Sequence, residues 1–189
     1  MVIIKTTLAT AVKLKGVTKI LATPYTGEGA LGATAYQLDN IIADTTSLTQ
    51  DDPNTTSIDC ETRDEPIDTV TNLGSYQFTT TSADVQKEFL TNFLGFTEDS
   101  STKIIYAPAS YQDLYAEIRL VFGSNGTLVI PKVKLNSKIE ATTLKTGLVK
   151  ATIAGTAFSV EITTSAGTTM SPFYMVPSNG TDSGAPTES

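Results

Sequence analysis

TTSIDCETRDEPIDTVTNLGSYQFTTTSADVQKEFLTNFLGF, residues Thr55–Phe96, changes its hydrophobic period once, and the change sets the expected fold. Two strand-like runs come first, with a break expected at Glu65-Pro66. In Tyr76-Gln77-Phe78 the aromatics fall on alternate positions, which places both on one face of a strand. From Ala83 the spacing becomes helical. Val85, Phe89 and Phe93 recur every four residues with Gln86, Leu90 and Leu94 beside them, and Gly95 supplies a left-handed stop. Ser82 or Asp84 is suited to cap the start. One amphipathic helix over about residues 83–94, set among strands, is therefore expected.

Composition points the same way. The 189 residues are enough for one domain with a real core. Threonine occurs 33 times, which favours pleated, half-buried surfaces. The expected architecture is mostly β, a β-sandwich or barrel with one flanking helix, a long loop and flexible termini. Its divisions are an N-terminal arm or edge strand (1–16), a β domain (17–164) and a Gly/Ser/Thr/Pro-rich tail (165–189).

Working outward, Val17–Thr23 reads as a first strand ended by Pro24. Tyr36–Ala43 reads as a short strand or a turn of helix. Residues 44–54 are polar and turn-rich, with Asp51-Asp52-Pro53-Asn54 as the sharpest turn signal, and read as a loop reaching away from the body. Tyr115–Phe122 and Thr127–Leu135 alternate on either side of Gly123-Ser124-Asn125-Gly126, a hairpin pattern, and Pro131 requires an edge or a bulge. Leu148–Thr164 is the longest alternating run, with Gly155 read as a bulge. Met170–Val176 reads as a docking segment, and Pro177–Ser189 as a disordered tail.

Candidate chemistry is sparse. The chain has no histidine and one cysteine, Cys60, so neither the usual acid–base residue nor an intramolecular disulfide is available. Gly27-Glu28-Gly29-Ala30-Leu31-Gly32 matches G-x-G-x-x-G, but Pro24 interrupts the preceding strand and no adequate helix follows, so it reads as a loop. The acids Asp59, Glu61, Asp64, Glu65 and Asp68 have no Ca²⁺-loop spacing and read as a solvated strand face. Sequons at Asn54, Asn125 and Asn179 are expected by chance in so Thr-rich a chain. No apolar run long enough for a signal peptide or a membrane span occurs, so folding in a cytoplasm is expected. No enzyme activity, cofactor or metal is expected.

Charge is segregated. Residues 1–38 carry +3, residues 39–99 carry −11, residues 100–162 carry +3 and the remainder −2. Solvated faces would account for this in a lone domain. A self-associating chain would instead set one face against another on its copy.

The order of these segments carries a resemblance. A polar loop, CETRDEPI, LGSYQFTTTSADVQKEFLTNFLGF, APASYQDLYAEIRLVF, PKVKLNSKI and LKTGLVKATIAGTAFSV, spanning Tyr36–Ile162, resemble the major tail tube protein of tailed bacteriophages, whose fold is shared with the inner tubes of contractile injection systems. The resemblance implies hexameric rings whose sheets join into an inner barrel, stacked into a virion tail tube through which DNA passes. It implies assembly in the bacterial host cytoplasm, with tail terminator, tape measure and baseplate proteins as partners and no membrane. Under it, Asp44, Asp51, Asp52 and Asn54 belong to a ring-stacking loop. Asp59, Glu61, Asp64 and Glu65 belong to an acidic lumen or interface face, and Lys132, Lys134, Lys138 and Lys145 are basic interface candidates. The rival expectation is a virion decoration or adhesin-like β-sandwich, which requires an exposed aromatic patch that no stretch of the sequence displays.

Overall fold

The computed structural model of the chain describes residues 16–26, 29–60, 63–83, 85–140, 149–164 and 167–178. Among them the strands are β1 (Lys19–Thr26), β2 (Ala30–Leu31), β3 (Tyr36–Leu38), β4 (Ser47–Gln50), β5 (Asn54–Cys60), β6 (Arg63–Asn72) and β7 (Tyr76–Ser82). The helix α1 (Lys87–Phe93) follows, then β8 (Thr97–Glu98), β9 (Ile105–Tyr106), β10 (Tyr115–Val121), β11 (Thr127–Leu135) and β12 (Lys138–Glu140). The last strands are β13 (Lys150–Ala157), β14 (Val160–Thr164), β15 (Gly167–Ser171) and β16 (Tyr174–Val176). The main sheet runs β2-β1-β10-β11-β13-β7-β4, with β3 beside β1, β16 beside β11 and β12 beside β13. The mostly-β architecture with a single helix is as expected. The sheet has two ends and does not close into a barrel.

Two prolines lie inside strands of the main sheet, for the same reason. The Pro24 carbonyl accepts from Gly32 N–H at 2.8 Å. Within a strand a residue's N and C=O point to the same side, so the Pro24 nitrogen faces the gap between β3 and β2, where no ladder bond is lost. β1 therefore continues to Thr26 instead of ending at Pro24. Pro131 sits in a central strand at a bulge. The β10–β11 register shifts between Ala116 and Ile118, so that Glu117 faces the two residues Pro131 and Lys132. On the other side of β11, Pro131 falls between the reach of β16 and that of β13.

The core lies between one face of the sheet and α1. Ile20, Phe78, Ile118, Ile130, Ile153 and Phe93 are almost wholly buried, and the Phe93 ring meets Tyr36 edge-on at 5.9 Å. The helix is shorter than its periodicity suggests. β7 keeps its ladder with β13 as far as Ser82, which pairs with Ala151, and the Ser82 hydroxyl donates to Asp39 O at 2.7 Å. Gln86 is the N-cap residue in place of Ser82 and makes no side-chain cap bond, while the alternative cap, Asp84, lies outside the described residues. The C-terminus ends as read, with Gly95 at φ 73 and Phe96 N–H bonded to Leu90 O at 3.1 Å.

Gly155 is no bulge, because its register to β7 and β11 is unbroken. A Cβ there would stand 2.3 Å from the Lys134 carbonyl oxygen, so the requirement is close approach of two backbones. The long Leu148–Thr164 pattern breaks at Phe158-Ser159, and β14 pairs with β15 as a separate hairpin. The segment read as tail thus contributes β15, and also β16, which pairs with Thr127–Val129. The second face of the sheet is covered in part. Glu117 and Val129, which alternate with core residues, are buried at 1% and 0% exposure, and Ile162 of β14 at 7%. Between β8 and β9, Asp99 accepts from the Ser101 hydroxyl and from the Ser101 and Thr102 N–H groups, which holds its carboxyl at about 2.

Candidate interaction surface

The 44–54 segment does not leave the body as a loop. Ser47–Gln50 is the edge strand β4, paired with Thr79–Tyr76 of β7. What leaves the body is the β5–β6 hairpin, and it continues the β4–β7 ladder in the same register. Gln50 pairs with Tyr76, Asp51 N–H donates to Ser75 O at 2.8 Å, and Asn54 then pairs with Asn72. The two segments form one ribbon with a joint at residues 51–53 and 73–75.

The joint is tightly fitted. A Cβ on Gly74 would fall 1.7 Å from the Asp51 carbonyl oxygen, and Gln77 Nε2 donates to Asp51 Oδ2 at 3.0 Å. Gly74→Ala is expected to cost about 1–3 kcal/mol through forced backbone displacement, as overpacking does. Thermal unfolding checks it, together with the chemical shift of the Gln77 side-chain amide, which should move as its bond to Asp51 is lost.

Beyond the joint, no other described strand pairs with β5 or β6. The register sorts their side chains into two faces. One carries Thr55, Ser57, Thr69 and Thr71, with the Thr55 and Thr71 hydroxyls 3.1 Å apart. The other carries Thr56, Ile58, Asp68 and Val70, and both apolar side chains are exposed, Ile58 to 48% and Val70 to 45%. Leu73 at the joint is exposed to 82%. The expected break at Glu65-Pro66 does not occur. β6 runs through Pro66, and the ladder of the hairpin extends to the pair Cys60 and Arg63. The register shifts between Ile58 and Cys60, leaving extra residues on the β6 side, and an irregular stretch of this kind accommodates a proline.

Of the stacking-loop candidates, Asp51, Asp52 and Asn54 lie at the joint and the root of the ribbon, whereas Asp44 (φ 60) precedes β4 at the other end of the β4–β7 ladder; all four are exposed. Asp59 is in β5, Asp64 and Glu65 are in β6, and Glu61 lies outside the described residues. The lysines separate. Lys138 and Lys150 flank Glu140 at 2.7 and 3.0 Å and hold its carboxyl below the usual range. Lys145 lies outside the described residues. Lys132 and Lys134 project from β11 into a cluster of aromatic rings.

That cluster was not legible from any one stretch. Lys132 Nζ stands 5.4 Å from the ring centres of both Tyr25 and Tyr115, a cation–π geometry. Tyr115 meets Phe158 edge-on at 6.5 Å. Lys134 Nζ bonds Asp113 Oδ1 at 2.7 Å, which raises its pKa, and lies 6.0 Å from the Tyr111 ring. Tyr111 and Phe158 are exposed to 68% and 45%. Tyr25, Asp113, Leu114, Tyr115, Lys132 and Phe158–Val160 border an open groove of about 710 Å³, a volume typical of binding clefts. Among the described residues no group of three or more His, Cys, Asp or Glu side chains could hold a metal ion, and no helix is long and apolar enough to cross a membrane.

No protein-family model matches the chain, and no curated protein matches it. Among solved structures, it is similar to a chain in the cryo-EM structure of the anti-feeding prophage (AFP) baseplate, 6-fold symmetrised. The likeness covers 85% of this chain and 94% of that one, at 9% identity and a TM-score of 0.38.

Proposed function

We propose that this chain is a structural, self-assembling subunit whose copies form the stacked rings of a phage-type tail tube. The observation that carries the reading is the β5–β6 ribbon. A two-stranded hairpin is marginal in water unless one of its faces is packed, and this one presents Ile58, Val70 and Leu73 to solvent. A ribbon of this kind acquires its missing support from a neighbour. The open ends of the main sheet, β4 on one side and β2 and β3 on the other, support the same reading, since unpaired edges are pairing sites in an assembly. So does the charge segregation of the chain. The resemblance to tail tube proteins supplies the finer detail: six copies per ring, DNA passing through the lumen, and tail terminator, tape measure and baseplate proteins as partners in the virion. In this reading Asp59, Glu61, Asp64 and Glu65 keep the lumen or the interface acidic, and no step is catalytic.

Negative-stain microscopy of the concentrated protein is expected to show rings or tubes; a strictly monomeric protein overturns the proposal. The double variant Ile58→Asp, Val70→Asp is expected to abolish assembly while changing unfolding stability by no more than about 1 kcal/mol, since both positions are exposed. Sedimentation and thermal melts of the same sample separate the two effects. The second reading, a virion decoration or adhesin-like module, is favoured by one observation, the exposed rings of Tyr111 and Phe158.

A further inference from the structure

The ribbon and the groove are complementary and lie on the same rim of the sheet. β7 enters the joint at Tyr76, the partner of Ala157, and Phe158 follows directly to form part of the groove. The ribbon leaves from the β4–β7 end of the sheet, whereas the groove lies toward β1, β10 and β11. One face of the ribbon offers an aliphatic stripe, Ile58 and Val70, with one carboxylate, Asp68, directly opposite Ile58. The groove offers aromatic walls, Tyr25, Tyr115 and Phe158, with one ammonium, Lys132, held between two of them. Residues 51–72 carry seven acids and one base, a net charge of −6, which favours a docking site bearing Lys132.

We propose that the Ile58/Asp68/Val70 face of one copy docks in the Lys132–Tyr115–Phe158 groove of the next copy, a head-to-tail contact within a ring. This rests on the self-assembly reading and names the two surfaces. A heterologous contact generates a ring when its rotation closes. Ribbon root and groove share one rim and are displaced from each other along the strand order, the ribbon at β4–β7 and the groove reaching from β13 to β1. Two unlike patches on one chain also leave each protomer with one patch to give and one to receive, so the contact propagates without any self-complementary surface.

The test uses full-length protein and follows ring formation by sedimentation velocity and negative-stain microscopy. Lys132→Glu is expected to raise the concentration needed for ring formation at least tenfold with the melting curve retained. Asp68→Lys in the same chain as Lys132→Glu is expected to recover most of the loss. Phe158→Ser, at an exposed position, gives a second route should Lys132→Glu perturb the fold, and it is expected to impair rings equally. If the wild type forms rings and neither groove variant affects them, the groove assignment is overturned and the assembly reading stands. If the wild type forms no oligomer, the assembly reading fails and the groove assignment with it. If rings form normally in Phe158→Ser while a soluble bacterial polysaccharide binds the wild type and not the variant, the groove is a saccharide site and this proposal is wrong.

Discussion

Phe93→Ala is expected to lower the unfolding free energy by about 3–5 kcal/mol, the range for deleting a fully buried aromatic side chain. Phe93 is 1% exposed at the end of α1, its ring 5.9 Å from Tyr36 and 5.7 Å from Phe89. The site has little means of collapse. Its neighbours include strand residues such as Leu38, fixed by the β1–β3 ladder. Because α1 has only seven residues and no side-chain N-cap, its own hydrogen bonds supply little, and packing through Phe89 and Phe93 holds it in place. Urea denaturation should show the full loss. A cost below about 1 kcal/mol would mean that α1 does not seal this core.

Arg119→Met is expected to be nearly as damaging, for an electrostatic reason. Glu117 is 1% exposed at the β10 bulge, Arg119 Nε donates to its Oε1 at 2.5 Å, and its Oε2 has no hydrogen-bond partner among the described residues. Removing the guanidinium strands a buried carboxylate, a change that costs about 3–5 kcal/mol in comparable pairs. Replacing both residues, Glu117→Met with Arg119→Met, removes the stranded charge and is expected to recover most of that loss, since buried ion pairs exchange for apolar pairs at little cost. Denaturant curves for the single and double variants decide the matter. A double variant as unstable as the single one would show that the charge is not the cause.

How much of this was legible in the sequence depends on whether the controlling interaction is local. The stop at Gly95 was legible because a left-handed φ is a property of one residue. The β10–β11 hairpin was legible because its turn and both alternations lie within one short stretch. The helix start was not, because the β7–β13 ladder runs to Ser82 and takes the residue read as a cap, and the helix begins only after Gln86. Pro24 was misread because its nitrogen faces a gap between two strands, and nothing near Pro24 in the sequence encodes that gap. For the candidate site, Lys132 and Lys134 were recognised by charge. Their aromatic surroundings come from Tyr25, Tyr111, Tyr115 and Phe158, residues drawn together from distant segments by the sheet order. The exposed aromatic patch required of a surface-binding module was absent from every stretch of sequence and present in the fold.

The uninterrupted register from β4–β7 into β5–β6 has a mechanical consequence. Tension applied to the far end of the ribbon runs along the strand axes into β7, which is laddered to β13 over seven residue pairs from Tyr76 to Ser82. Load in that direction shears the ladder's hydrogen bonds together instead of opening them one after another. The fitted joint at Gly74 and Asp51 leaves little slack, so a neighbour that tilts the ribbon also tilts β7 against the sheet. In a closed ring of such subunits, strain imposed at one contact would pass through each sheet to the next ribbon, and the ring would yield as a unit.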